Sequence, residues 1–122
     1  MAKRILIVED HKDSLSILVL IVRSLGYETI EARTGAEAIE KASFQNPNLV
    51  VMDMSLPDMT GVDAARAIKE NPSTVGLPII AYSAWSTRTW MDQAASARIA
   101  AYLIKPVPMA LIKQTIEKFI LP

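Results

Sequence analysis

The sequence predicts an α/β domain built on a five-stranded parallel sheet with helices on both faces. Two observations carry this. Short apolar runs alternate with helical stripes along the whole chain, the pattern of successive βα units joined by right-handed crossovers. The runs also end in polar residues with useful chemistry, and open α/β sheets collect ligands outside the carboxyl ends of their strands.

The elements follow in order. Arg4 to Val8 is the first strand, ending in Glu9 and Asp10. Leu15, Leu18, Val19, Val22 and Leu25 recur at helical spacing and predict an amphipathic helix. Gly26 then stands where a helix end favours a left-handed residue. Glu28 to Ala32 is the second strand, and Ala36 to Phe44 the second helix, stopped by Asn46-Pro47. Leu49 to Met52 is an unbroken apolar run, the mark of a strand buried on both faces, and Asp53 follows it. Val62, Ala65 and Ile68 face inward from a third helix that ends at Asn71-Pro72. Ile79 to Tyr82 is the fourth strand, with Ser83 at its tip, and Thr87 to Ala97 the fourth helix. Ala101 to Ile104 is the fifth strand, followed by Lys105-Pro106. Leu111, Ile112, Thr115, Ile116 and Phe119 stripe a fifth helix starting after Val107-Pro108.

Composition narrows the function. The 122 residues fit one domain, residues 1–122, with no repeat, linker or attached effector expected. Apolar residues make up 51% and formal net charge is zero, which argues against a nucleic-acid-binding surface. No apolar run is long enough to span a membrane, and no signal peptide is visible, so a cytoplasmic protein is expected. The absence of cysteine excludes disulfides, thiolate catalysis and cysteine-ligated zinc.

The strand tips bring together Glu9, Asp10, Asp53, Ser83 and Lys105. Carboxylates from neighbouring tips suit magnesium, which takes a few oxygen ligands and retains water. Lysine supplies a charge for a carboxylate or phosphoryl oxygen, and serine supplies a hydrogen bond. Together they suit phosphoryl transfer onto Asp53, whose carboxylate is a competent nucleophile. Singly, Ser83 and Lys105 have plainer readings, as a helix cap and a solvated loop residue. At the ends of four parallel strands, their joint occurrence favours chemistry.

These motifs resemble the receiver domain of two-component response regulators over the whole chain. The resemblance rests on Ile5-Leu6-Ile7-Val8-Glu9-Asp10, Gly26-Tyr27-Glu28, Gly35-Ala36-Glu37-Ala38, Met52-Asp53-Met54-Ser55-Leu56-Pro57 with Gly61, Ala81-Tyr82-Ser83-Ala84 and Tyr102-Leu103-Ile104-Lys105-Pro106. It implies a flavodoxin-like doubly wound fold with strand order 2-1-3-4-5. It implies that Asp53 accepts a phosphoryl group from a sensor histidine kinase or histidine phosphotransfer protein. Glu9 and Asp10 then hold magnesium with Asp53 and the backbone carbonyl of Ser55. Ser83 is the switch hydroxyl, Lys105 the family's lysine with a cis bond to Pro106, and Tyr102 an aromatic switch that moves inward behind the serine. Ala84 is small where the loop closes over phosphate. The face of the fourth helix, fifth strand and fifth helix would bind a downstream protein, with the chain a monomer or a phosphorylation-linked homodimer. Signalling rather than enzyme turnover is implied.

Other features are expected to individualise this chain. Arg98 stands where the family usually has glycine; a left-handed backbone there costs a non-glycine residue about 1 kcal/mol. The resemblance implies that Ser55 and Trp85 occupy the positions the family uses to tune attack of water on the phosphoryl group, so slow autodephosphorylation is expected. Trp90 and Met91 are adjacent on a helix and cannot share a face, so one of them faces outward. His11 is expected at a loop or helix start rather than as a metal ligand. Asp13 complements the dipole of the first helix, and Asp58 and Asp63 are expected on turns or solvated faces. Two alternatives stay open: a haloacid-dehalogenase-type phosphatase, which expects an acid at the Ser55 position, and a pseudo-receiver that binds without phosphorylation. A receiver cut from a hybrid kinase or longer regulator also remains open.

Overall fold

The computed structural model describes residues 2–122 and contains ten elements. They are β1 (Arg4–Val8), α1 (Lys12–Ser24), β2 (Glu28–Ala32), α2 (Gly35–Phe44), β3 (Leu49–Met52), α3 (Gly61–Glu70), β4 (Ile79–Ser83), α4 (Arg88–Ser96), β5 (Ala101–Ile104) and α5 (Met109–Phe119). All strand pairs are parallel, in the order β2-β1-β3-β4-β5. This is the doubly wound, flavodoxin-like arrangement that the alternation predicts.

The strand residues alternate between two cores. Ile5, Ile7, Val51, Ile80 and Leu103 pack with Leu15, Leu18, Val22, Ile112 and Ile116 of α1 and α5. Leu6, Val8, Val50, Met52 and Ala81 face α2, α3 and α4 through Ala38, Val62, Ala65, Ile68 and Ala94. Every residue of β3 is buried, because helices cover both of its faces. Its unbroken apolar run has that physical origin.

Local chemistry sets the helix boundaries. Thr34 accepts from the Glu37 amide at 3.0 Å, while the Glu37 side chain accepts from the Arg33 amide at 2.7 Å. Thr60 caps α3 by accepting from the Asp63 amide at 3.1 Å. Gly26 ends α1 with φ +94°. Arg98, between α4 and β5, has φ 62°, so the left-handed position is occupied by a residue with a Cβ. Its guanidinium donates to the Lys69 carbonyl at 3.4 Å.

Most predicted boundaries agree with the structure, and the differences lie at element ends. β4 extends one residue to include Ser83, whose carbonyl accepts from the Lys105 amide at 2.9 Å. α2 begins at Gly35 rather than Ala36, and α4 begins and ends one residue inside the expected span. Trp90 packs against the core, whereas Met91 is exposed.

Candidate functional site

The strand register gathers the candidate residues at one end of the sheet. Val8 pairs with Met52, Met52 with Ala81, and Ser83 with Ile104. The next residues continue these ladders: the Asp53 amide donates to the Val8 carbonyl and the Glu9 amide to the Ala32 carbonyl, both at 3.0 Å. Residues that follow paired positions on adjacent strands are neighbours, so Glu9, Asp53, Ser83 and Lys105 meet although far apart in sequence.

Ligand atoms of Glu9, Asp10, His11 and Asp53 lie within 4.8 Å of one another. Lys105 Nζ bridges two of these residues, 3.2 Å from Glu9 Oε1 and 3.4 Å from Asp53 Oδ2. The Ser55 amide donates to Asp53 Oδ1 at 3.1 Å. Glu9, Asp53 and Ser83 are buried, with Glu9 only 1% exposed. Buried carboxylates at this spacing cannot all carry charge freely. Burial pushes the Glu9 carboxyl up to about 7, reinforced by the neighbouring Asp53. Burial also raises Asp53, but the neighbouring Glu9 carboxyl, the hydrogen bond from the Ser55 amide and the charge of Lys105 hold it below its ordinary value. The two carboxyls are therefore driven in opposite directions, Glu9 up and Asp53 down.

The cluster fits a hard divalent cation. Glu9 Oε2 and Asp10 Oδ1 are buried and have no hydrogen-bond partner among the described residues. Unpartnered buried carboxylate oxygens are costly, and a cation supplies what they lack. A cavity of about 360 Å³ opens on Asp53, Ser55, Ser83, Ala84, Trp85 and Lys105.

Two loops position this cavity. After Asp53 the chain turns tightly: Ser55 bridges Thr60, and the Gly61 amide donates to the Met54 carbonyl at 2.9 Å. A Cβ on Gly61 would clash with the Asp53 carbonyl oxygen, so glycine permits the start of α3 to lie against the strand tip. After β4, Ser83 Oγ accepts from the Trp85 amide at 3.2 Å. Trp85 stacks on Trp90 with ring centroids 4.4 Å apart and lines the cavity. The Tyr102 hydroxyl donates to the Trp85 carbonyl, and its half-buried ring packs against the core. The Lys105–Pro106 peptide is cis.

Asp58 lies exposed in the turn before α3, as the sequence predicts, and it has a further role there. Its carboxylate accepts from the Gly35 and Ala36 amides, at 2.8 and 2.9 Å, at the start of α2. Those bonds hold its pKa below the ordinary aspartate value. His11 precedes α1 as its N-cap residue, with Nδ1 beside Glu9 and Asp10. The sequence places the histidine at a helix start directly after the acidic pair, and the structure shows both. The adjacency of His11 to the acidic pair was the available signal.

A doubly wound α/β domain with an acidic, lysine-bearing pocket at its strand tips is the class that fold and site define. Residues 5–117 match the family model of the response regulator receiver domain, and the chain belongs to that family, the phosphorylation-dependent switches of two-component systems. It is 28% identical over 120 residues to the polar-differentiation response regulator DivK of Brucella ovis, covering 98% of each chain. A CheY-like receiver domain protein from Methanospirillum hungatei JF-1 superposes with a TM-score of 0.88 and 30% identity, covering 97% of this chain and 93% of that one. The receiver domain of sensor histidine kinase PA1611 from Pseudomonas aeruginosa PAO1 gives 0.91 and 28%, covering 98% of both. That structure holds a magnesium ion coordinated in its active site cleft.

Proposed function

We propose that Asp53 is the phosphoacceptor of this receiver, taking a phosphoryl group from a phosphohistidine of a sensor kinase or phosphotransfer protein. The supporting observation is the register that puts the Asp53 carboxylate beside Lys105, Ser83 and the Glu9–Asp10 pair. An Asp53 oxygen attacks phosphorus, the P–N bond to histidine breaks, and the nitrogen retains the bonding electrons. Lys105 neutralises charge on the acyl phosphate, and Ser83 donates to a phosphoryl oxygen. Glu9, Asp10, Asp53 and the Ser55 backbone carbonyl hold magnesium, the cation found in the PA1611 receiver. Held by these residues, such an ion would supply positive charge toward the transferring phosphoryl oxygens.

Phosphorylation adds negative charge and acceptor oxygens at Asp53. Ser83 then leaves the Trp85 amide to bond the phosphoryl group, and the loop from Ser83 to Trp85 closes with Ala84 leaving room. The Tyr102–Trp85 bond carries this change to the α4–β5–α5 face, where a downstream protein selects one packing. Residues 1–122 act as one cytoplasmic signalling domain, monomeric or dimerising on phosphorylation, rather than as a turnover enzyme. Ser55 stands where a haloacid-dehalogenase-type phosphatase needs an acid, which disfavours that alternative. Retention of Glu9, Asp10, Asp53 and Lys105 disfavours a pseudo-receiver.

The test is incubation with a small-molecule phosphodonor and magnesium, followed by intact mass. The wild type gains one phosphoryl group and Asp53→Asn gains none. Equal labelling of Asp53→Asn would refute the assignment.

A further inference from the structure

Resting on the reading of the Glu9–Asp10–Asp53 cluster as a cation site, we infer that His11 makes it a mixed nitrogen–oxygen site. It then favours a divalent transition ion, such as manganese or cobalt, over magnesium more strongly than an all-oxygen set does. His11 Nδ1 lies 3.4 Å from Glu9 Oε1 and 3.3 Å from Asp10 Oδ1. Adjacent ligands of an octahedral ion with bonds of about 2.1 Å are separated by about 3 Å. The imidazole therefore stands close to where an adjoining ligand belongs.

Other features support ligation over a role in folding. His11 is the N-cap residue of α1 but makes no side-chain cap hydrogen bond. Its side chain is 70% exposed, so the ring turns without disturbing the core. Glu9, by contrast, is fixed and buried, with Oε2 lacking a hydrogen-bond partner, so the cluster presents an unmet demand for positive charge. Imidazole suits transition ions, whereas magnesium prefers carboxylate, carbonyl and water oxygen. One nitrogen ligand should shift relative affinity without abolishing magnesium binding.

The chain suits a direct test because His11 is its only histidine and it has no cysteine. Tag-free wild-type and His11→Ala proteins are titrated with magnesium and with manganese, following tryptophan fluorescence, since Trp85 borders the same cavity. Pulsed electron paramagnetic resonance of bound manganese then reads coupling to imidazole nitrogen. The variant is expected to lose about tenfold in manganese affinity while its magnesium affinity changes less than about twofold. The imidazole coupling, present in the wild type, disappears. Absence of that coupling from the wild type, or equal weakening of both ions in the variant, overturns the role of His11. If magnesium binds and His11→Ala is silent toward manganese, only this inference fails. If neither ion binds the wild type, the cation-site reading fails with it.

Discussion

Replacing Glu9 by glutamine isolates the cost of burying a carboxyl beside Asp53. The folded protein raises Glu9 from 4.5 to about 7, so it binds the Glu9 proton more tightly than the unfolded chain does. The resulting stabilisation is complete below 4.5 and is lost as pH rises through 7. A shift from 4.5 to about 7, at about 1.4 kcal/mol per unit, corresponds to about 3 kcal/mol. Asp53 has the opposite sign: its contribution is present above 3.8 and is lost in stronger acid. It therefore drops out of a comparison made between pH 5 and pH 8. Urea denaturation in the presence of a chelator measures the effect. The metal-free wild type should be about 2–3 kcal/mol less stable at pH 8 than at pH 5, and Glu9→Gln should lose most of that dependence. His11, Asp10 and Lys105 remain in both proteins, so the difference between the two slopes belongs to Glu9. A flat wild-type profile, or an equal slope in Glu9→Gln, would refute the reasoning.

The remaining predictions concern the two residues that set this chain apart. Arg98→Gly removes a Cβ from a left-handed backbone while freeing the unfolded chain, for a net gain of up to about 0.5 kcal/mol in thermal or urea unfolding. A loss of stability would show that the guanidinium bond to the Lys69 carbonyl outweighs the strain. Trp85→Ala uncovers the cavity over Asp53 and should shorten the phosphoryl half-life several-fold, measured by loss of label in magnesium buffer. An unchanged half-life would remove Trp85 from that role.

Much of this architecture was legible because burial leaves a one-dimensional trace. β3 is covered on both faces and reads as Leu49-Val50-Val51-Met52 without interruption. The α1 stripe likewise marks the side facing β1 and β3. The acids, serine and lysine were visible because each directly follows an apolar strand. What sequence did not disclose depends on contacts between loops. Asp58 reaches the start of α2 across a sequence gap that no periodicity bridges. The Tyr102 hydroxyl bond depends on where the backbone after Ser83 presents the Trp85 carbonyl. The raised pKa of Glu9 depends on depth and on the nearness of Asp53, neither of which a list of charges contains.

The Asp58 clamp has a mechanical consequence. Its two bonds to the head of α2, with Met59 filling the space above Gly35, join the loop bearing Ser55 to a helix seated in the core. Another wall of the cavity is formed by Ala84 and Trp85, held through the Trp85 amide to Ser83 and the Trp85 carbonyl to the Tyr102 hydroxyl. The first wall is thus tied to α2 by backbone bonds, and the second is tied through Trp85 to Ser83 and Tyr102. A substitution at Asp58 would loosen the first wall, so a shift at Asp53 would be absorbed there as slack instead of reaching α4.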